Sequence, residues 1–297
     1  MLRPRPARTL TVIDATAQVH RGWHGLARGR GADEISEPEA VQAVAAVLGK
    51  LLCSLQPRYL IAAFDSGRSH RRTLDPSYKA HRPEPSPGLA KVLSLGPEIA
   101  RALGCLVVQQ EGYEADDLLA CAAARGRSAS LDVVLVSQDK DVCQVVGDGV
   151  WRADPKTLEL EDPAGVHRRL GVWPHQVCDF LSLVGDSSDG IAGVPGVGPK
   201  TAAGLLTHAG SLSAIYRAPE HAMEAEVRGA RSAVTRIVEH REQVRLAWRL
   251  VRLRIDSDLG CMQGLTLGSL RPKTRPELAR RLGLEEHLLR RVERAFA

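Results

Sequence analysis

Short apolar runs that end in aspartate are the feature that most constrains this chain. "LTVID" (10–14) and "YLIAAFD" (59–65) are typical of buried β-strands, and each finishes on an aspartate. A third run, "DVVLVS" (132–137), is followed by Asp139 and Asp141 with one lysine between them. Like charges that close are unfavourable unless water or a cation offsets them. The pair therefore indicates either a solvated loop or a cation site.

Segments with helical periodicity separate these runs. Helices are expected at 38–55, about 89–103 and 114–124, and a further strand at 105–109. Strands that alternate with helices predict parallel βαβ units, hence an α/β fold with a parallel sheet flanked by helices. After about residue 175 no further strand is expected, and the rest of the chain is expected to be helical.

These patterns predict three parts: an α/β core over 1–185, a helical part with a glycine-rich turn over 186–260, and a helical extension over 261–297. Within the first part, residues 66–88 are polar, basic and rich in proline and serine. Such a composition is typical of an exposed, mobile segment.

Composition and charge are compatible with a polyanionic partner. The chain has 297 residues, 25% of them charged, a net charge of +5 and a pI of about 9.0. No apolar run approaches the roughly 20 residues that span a bilayer, and no signal-peptide pattern is present, so no membrane is expected. The six cysteines form no CxxC and the ten histidines no HExxH, which disfavours a zinc hydrolase. We expect a cytoplasmic protein with reduced cysteines.

Carboxylates accumulate where the strands end, and in an open α/β sheet ligands bind at that edge. Glu114 and Asp117 share a helix face, whereas Asp116 points elsewhere unless the first turn is irregular. The nine candidates are Asp14, Asp65, Glu114, Asp116, Asp117, Asp139, Asp141, Asp186 and Asp189. Each of these carboxylates taken alone is explained by helix capping, by a turn or by solvation. Together their repulsion requires hard divalent cations, and magnesium or manganese fits best.

Two basic features accompany the cluster. Arg71, Lys79 and Arg82 lie in the irregular segment after Asp65, with Tyr78 among them for base stacking. The segment is a solvated basic loop or, beside an acidic metal cluster, a clamp on a phosphate backbone; we favour the clamp.

The second basic feature is "GVPGVGPK" (193–200), which leads into a helix. Backbone N–H groups at such a turn make an anion site, and the turn is not a Walker A loop because GxxxxGK[ST] is absent. Its spacing suits a helix–hairpin–helix that grips DNA phosphates, in preference to an ordinary αα turn. The residues expected to contribute are Gly193, Gly196, Gly198 and Lys200.

The motifs "VIDA", "FDSGRSHRRTLDPSYKAHR", "GYEADDLLA", "SQDKD" and "GDSSDGIAGVPGVGPKTA" follow one another over about residues 9–255. Together they resemble the bacterial and phage 5′→3′ exonuclease and flap endonuclease family, which includes the N-terminal nuclease domain of bacterial DNA polymerase I. The resemblance implies a PIN-like sheet, a helical arch at about 66–95 and a helix–hairpin–helix subdomain at 186–260. It also implies a stand-alone, monomeric, nucleoid-associated nuclease that acts on DNA with a 5′ end, flap or branch.

The resemblance also implies roles for single residues, beginning with two divalent ions in a two-metal-ion hydrolysis. It assigns the first ion to Asp14, Asp65, Glu114, Asp116, Asp117 and Asp139, and the second to Asp141, Asp186 and Asp189. Lys79 and Arg82 would be catalytic donors beneath the arch, Arg71 would join them on DNA, and potassium would bind at the hairpin.

Three positions depart from the family pattern. Ala15 stands where glycine is usual, His20 replaces an aromatic residue, and Gly190 replaces the asparagine of "SDN". His20 puts base stacking at its position in doubt. A non-catalytic DNA-binding scaffold, a PIN-like ribonuclease and a small-molecule phosphatase remain as alternatives. The complete carboxylate set argues against the first, and the DNA-sized basic apparatus disfavours the last.

Overall fold

A single six-stranded sheet organises the first half of the molecule. The computed structural model describes residues 4–31, 34–67, 69–255, 266 and 268–296. The strands run in the order β3–β2–β1–β4–β5–β6. Their bounds are β1 Thr9–Asp14, β2 Tyr59–Phe64, β3 Leu106–Gln109, β4 Asp132–Val136, β5 Val150–Ala153 and β6 Leu160–Glu161.

Helices flank this sheet and make up most of the second half. In the first half they are α1 Ala15–Leu26, α2 Glu37–Leu55, α3 His70–Leu74, α4 Pro87–Ala102, α5 Ala115–Ser128 and α6 Pro163–Leu170. In the second half they are α7 Val177–Val184, α8 Pro199–Ala209, α9 Leu212–Arg217, α10 Pro219–Ala222, α11 Ala230–Glu239, α12 Arg241–Val251, α13 Pro276–Arg281 and α14 Glu286–Phe296.

The predicted α/β class is confirmed, with one addition at the sheet edge. β1 pairs in parallel with β2 on one side and β4 on the other, and among the described strands of this six-stranded sheet only β6 is antiparallel to its neighbour. The strand order therefore reverses at β1, with β2 and β3 on one side of it and β4 and β5 on the other. Such a reversal is a topological switch point, where α/β folds place ligands. Asp14, the last residue of β1, lies at that point.

The expectation that strands stop after about residue 175 is wrong in one place. Gly185–Asp186 (β7) and Ile191–Ala192 (β8) form a two-stranded antiparallel ribbon. A run of two residues is too short to show alternation in the sequence. The ribbon holds the loop that contains the last two predicted carboxylates.

The sheet domain and the helical part have different apolar cores. Side chains of α1, α2 and α4 cover one sheet face, and those of α5 cover the other. By length and composition α2 could cross a membrane, but it packs against α1, α4 and α14 as a core helix. A third cluster joins α7 to the helices that follow it.

The C-terminal extension packs on the sheet domain. Leu288 and Val292 of α14 lie against α2, and Lys273 and Arg275 donate backbone hydrogen bonds to Gly104 and Ala102. Among its described residues, Pro276–Arg281 (α13) and Glu286–Phe296 (α14) are helical and 268–275 are not. Residues 256–265 lie outside them, and the boundaries of the three parts stay a prediction.

Candidate active site

The first two carboxylates occupy the ends of neighbouring strands. Asp14 caps α1 by accepting a hydrogen bond from the Ala17 amide at 3.0 Å. Asp65 follows β2 and accepts from the Ala115 amide at 2.7 Å, which links it to the start of α5. Burial and the nearby Asp65 raise the pKa of Asp14 to about 7. Burial also raises the pKa of Asp65, so ionisation of both side chains is disfavoured where they lie.

The start of α5 holds three more predicted ligands, which fall into two groups. Glu114 and Asp116 keep side chains that are 13% and 14% exposed, facing the cluster. Asp117 is fully buried, and Arg71 donates to both of its carboxylate oxygens, at 2.7 and 2.8 Å. With the Arg254 amide also donating to it, Asp117 has no oxygen open to an ion. An internal ion pair thus occupies Asp117 in this structure, and its expected role as a metal ligand stays a prediction.

Asp139 and Asp141 enter the cluster from the turn after β4. The Asp139 amide donates to the Ser137 hydroxyl and the Asp141 amide donates to Asp139, which fixes a tight turn. Ser137 also donates to Asp14 at 3.3 Å, so the turn contacts the end of β1. Oδ1 of Asp141 is buried and has no hydrogen-bond partner in the part of the chain that the structure describes.

Asp186 and Asp189 come from the β7–β8 ribbon. Asp186 accepts from Ser188 at 2.6 Å and pairs with Lys140 at 3.0 Å. Asp189 pairs with Arg82 at 2.6 Å and lies 3.6 Å from the Lys79 ammonium. The ribbon thus contacts both the turn after β4 and the basic segment.

The carboxylates lie close enough to affect one another's ionisation. Burial raises the pKa of Asp141 well above its usual value, and the charges of Asp139, Asp189 and Asp186 add to this effect. Burial likewise raises the pKa of Asp116, which also senses Asp117, Glu114 and Asp139. The pKa of Glu114 is lowered, because Lys79 and Arg71 outweigh its burial. The first turn of α5 therefore does direct Asp116 toward the cluster.

The donor set fits divalent cations. Eight carboxylates other than Asp117 converge, and one of them keeps a buried oxygen without a partner. The ammonium of Lys79 bridges Glu114 and Asp189, at 3.0 and 3.6 Å, where positive charge is required. Oxygen-only sites of this kind suit hard ions such as magnesium and manganese.

The basic segment differs from the exposed, mobile loop expected. Arg71 is 1% exposed and Tyr78 is 2% exposed, so neither is available to DNA in this structure. The Tyr78 hydroxyl lies 2.9 Å from Glu114 and 3.0 Å from Asp189. Lys79 is 20% exposed and Arg82 50% exposed at the side chain, so among the four residues of this segment that were expected to contact DNA only these two keep an accessible surface.

The glycine hairpin lies between the ribbon and α8. A Cβ on Gly193 would overlap the carbonyl group of Val184, and Gly196 has φ +74°. Gly198 caps α8 with open space around it, and Lys200 is exposed in the first turn of that helix. Gly193 and Gly196 are therefore required by backbone geometry, whether or not the hairpin binds an anion.

Sequence reasoning missed two cationic contacts. Lys140, between the paired aspartates, meets Asp186 at 3.0 Å. Arg71 was assigned to DNA, but its Nε donates to the Leu250 carbonyl at 2.6 Å and its Nη1 lies 3.9 Å from Asp116. The only sequence signal for the Lys140 contact is its position between Asp139 and Asp141 in "DKD". No local signal indicates that Arg71 is buried.

Comparison with known families accounts for both halves of the molecule. Residues 9–171 match the model of the 5′-3′ exonuclease N-terminal, resolvase-like domain. Residues 172–271 match the 5′-3′ exonuclease C-terminal SAM fold. The chain belongs to the 5′-3′ exonuclease family. The resemblance inferred from the motifs is confirmed.

Individual proteins with similar sequences include DNA polymerases and an exonuclease. DNA polymerase I of Treponema pallidum is 41% identical over 71% of this chain and 22% of its own length. The chain thus spans about a quarter of the length of such polymerases, as the 28% coverage of the Pseudomonas aeruginosa enzyme also shows. The Aquifex aeolicus 5′-3′ exonuclease is 29% identical over 85% of this chain and 84% of its own length.

Solved structures share the fold. T5 5′-exonuclease with zinc bound has a TM-score of 0.66 at 19% identity, covering 98% of this chain and 100% of that one. The catalytic core of Rad2 with a DNA substrate has a TM-score of 0.58 at 15% identity, covering 99% and 95%.

Proposed function

We propose that this chain hydrolyses DNA phosphodiesters as a 5′→3′ exonuclease and 5′-flap endonuclease that depends on two magnesium or manganese ions. The observation that carries the proposal is the convergence of eight carboxylates at the carboxyl edge of the sheet. Asp141 gives the most specific observation, because its Oδ1 is buried and has no hydrogen-bond partner among the residues that the structure describes. Burying such an oxygen without a partner is costly. Family membership supports the same reaction class.

The carboxylates divide between two proposed ion positions. Asp14, Asp65, Glu114, Asp116 and Asp139 would hold one ion. Asp141, Asp186 and Asp189 would hold the other. When bound, the ions would acidify water and offset the charge of the scissile phosphate.

The chain supplies its own cations beside these positions. Lys79 and Arg82 meet Glu114 and Asp189 on the accessible side of the cluster. When DNA enters, we expect them to turn from these carboxylates to the phosphate and stabilise its developing charge. They would orient the phosphate over the carboxylates.

The substrate is proposed to be duplex DNA with a free 5′ end, flap or branch. The hairpin that ends at Lys200 would hold duplex phosphates through backbone N–H groups and one ammonium. Its carbonyl groups are the proposed place for potassium. We expect a monomer to bind one DNA end, with specificity set by DNA shape.

The test is cleavage of an end-labelled 5′-flap duplex, analysed by product length. We expect products in magnesium or manganese, none in EDTA, and recovery when magnesium is added back. Asp141→Asn keeps the side-chain shape and removes the charge, so it should abolish cleavage. Asp148→Asn is the matched control, because Asp148 is 96% exposed a few residues further along.

Two outcomes would overturn the proposal. One is binding of flap DNA without cleavage in either metal, which identifies a DNA-binding scaffold. The other is cleavage of RNA flaps in preference to DNA flaps, which identifies a ribonuclease. Activity with zinc alone would contradict the choice of ion.

A further inference from the structure

A cavity lies in the helical part of the molecule. It measures about 520 Å³, within the range of about 300–1,000 Å³ typical of small-molecule sites. Helices α7, α9 and α12 form its walls. Its principal lining residues are Asp179, Tyr216, Arg217, Arg241, Arg245 and Trp248.

The cavity is strongly cationic. Arg217, Arg241 and Arg245 are exposed around it. Among the residues that the structure describes, Arg217 and Arg241 have no ion pair with a carboxylate, and Arg245 meets only Glu242, at 4.0 Å. Guanidinium groups that line the same cavity repel one another, and a bound anion would offset this repulsion. Planar guanidinium groups recognise phosphate with two parallel hydrogen bonds.

The acidic lining residue, Asp179, offsets one of the three positive charges but forms no ion pair with the arginines among the residues that the structure describes. Asp179 accepts the Leu212 amide at 2.8 Å with one oxygen and the Trp248 indole N–H at 3.0 Å with the other. Its carboxylate thus fixes the cavity walls to each other. Trp248 is held in one orientation by the same contact, which makes it a rigid aromatic wall.

Aromatic rings complete the lining. The Arg241 guanidinium lies 4.9 Å from the centre of the Tyr216 ring, and the Tyr216 hydroxyl donates to the Ile237 carbonyl at 3.3 Å. Trp248 is half-buried and contributes apolar surface next to the guanidinium groups. Such pairs of arginine and aromatic ring are suited to a flat ring that is joined to an anionic group.

We propose that this cavity binds one nucleotide unit, with its phosphate on Arg217, Arg241 and Arg245 and its base against Trp248 and Tyr216. The Arg241 and Arg252 guanidinium groups each cover one side of the Tyr216 and Trp248 rings, at 4.9 Å from the ring centres, so the base would contact the other sides. Phosphate alone would make no contact with these rings, and a nucleoside alone would bring no anion to the arginines. The unit has two sources, a free mononucleotide or a nucleotide within a DNA strand. The inference does not depend on the nuclease activity, because binding requires no phosphodiester cleavage.

The first experiment is titration of the full chain with dAMP in EDTA and low salt, followed by calorimetry and tryptophan fluorescence. We expect saturable binding of one dAMP per chain, and at least tenfold weaker binding of deoxyadenosine and of inorganic phosphate. Arg217→Glu and Arg245→Glu should each weaken dAMP binding at least tenfold. Arg231→Glu is the matched control: it makes the same charge change at an exposed arginine of α11 outside the cavity, and should alter affinity less than twofold.

The second experiment separates the two sources. A duplex with a short single-stranded overhang is compared with the blunt duplex, again in EDTA. If Arg245→Glu removes the extra affinity for the overhang, the site takes a nucleotide within a strand; if it affects dAMP alone, the site takes the free mononucleotide.

Three results would overturn the inference: no dAMP binding to the wild-type chain, unchanged dAMP binding by both charge-reversal variants, or phosphate binding as tight as dAMP. If the wild-type chain binds dAMP but does not cleave flap DNA, the proposed nuclease function is contradicted and the proposed nucleotide site is not.

Discussion

Arg71 and Asp117 form a two-pronged ion pair inside the protein. The two guanidinium Nη atoms lie 2.7 and 2.8 Å from the two carboxylate oxygens, and the side chains are 1% and 0% exposed. Nε of Arg71 also donates to the Leu250 carbonyl. The pair therefore joins α3, at the base of the basic segment, to α5 and to the end of α12. By fixing the first turn of α5, the ion pair also positions Glu114 and Asp116 within the carboxylate cluster.

Breaking this pair should destabilise the fold strongly. Arg71→Ala and Asp117→Ala should each lower the free energy of unfolding by about 3–5 kcal/mol, because each leaves a buried charge without its partner. The double variant should lose much less than the sum, because neither charge remains alone. Urea unfolding of all three measures this.

The control for this series is a surface pair. Arg281 and Glu98 lie 3.0 Å apart, with side chains 70% and 42% exposed. Arg281→Ala should change stability by only about 0–1 kcal/mol. Equal losses for Arg71→Ala and Arg281→Ala would show that burial does not control the Arg71 pair.

Glu161 gives the molecule a defined acid sensitivity. Burial opposes its ionisation, but hydrogen bonds from Arg169 and Arg152 lower its pKa to about 2. In the unfolded chain a glutamate titrates near pH 4.3, so the folded pKa is the lower one. Its stabilisation is complete above about pH 4.3 and is lost as the pH falls toward 2.

Glu161→Gln should therefore unfold at a lower urea concentration than the wild type at pH 7. The difference should shrink steadily from about pH 4.3 to pH 2. Urea midpoints at several pH values measure the effect. A difference independent of pH would mean that packing, not charge, accounts for the role of Glu161.

The sequence predicts the cluster well because strand ends are local features. Asp14, Asp65 and Asp139 follow apolar runs, and parallel strands necessarily bring their carboxyl ends to one edge. What the sequence does not reveal is which carboxylate is paired internally. Asp117 lies beside Asp116 in the same motif, and its partner, Arg71, is 46 residues away.

The basic segment shows a second limit. Its composition predicts exposure, yet Tyr78 is buried between Glu114 and Asp189. Contacts to two acidic groups from distant segments outweigh the polar character of its neighbours. Local composition reports average exposure and carries no information on such long-range contacts.

Two hairpin glycines should respond differently to the same substitution. Gly193→Ala should destabilise the protein at the upper end of the about 1–3 kcal/mol typical of forced overlaps, because the new Cβ meets the Val184 backbone. Gly198→Ala places its Cβ in open space and should cost less than about 1 kcal/mol, the loss expected at a helix cap. Thermal unfolding of both variants makes the comparison. Similar losses would mean that close backbone approach does not explain Gly193.

Two lysines should affect DNA handling in separable ways. Lys200 is exposed in the first turn of α8 and forms no ion pair among the residues that the structure describes, so it is available to duplex phosphates. Lys200→Ala should weaken binding of flap and plain duplex alike, and reduce the slope of log affinity against log salt by about one. Saturated turnover should change little, because no contact at the carboxylate cluster is lost.

Lys79 should behave in the opposite manner. Its ammonium lies 3.0 Å from Glu114 and 3.6 Å from Asp189, so it reaches the place where the scissile phosphate is proposed to sit. Lys79→Ala should reduce the single-turnover rate at saturating DNA by about 10²-fold, the usual loss for one donor to a developing charge, with a smaller effect on affinity. Single-turnover cleavage and salt-titrated binding of both variants on one flap substrate separate the two roles. A change in affinity alone for Lys79→Ala would make Lys79 a DNA tether, because a group that acts on the transition state must alter the rate of the bound complex.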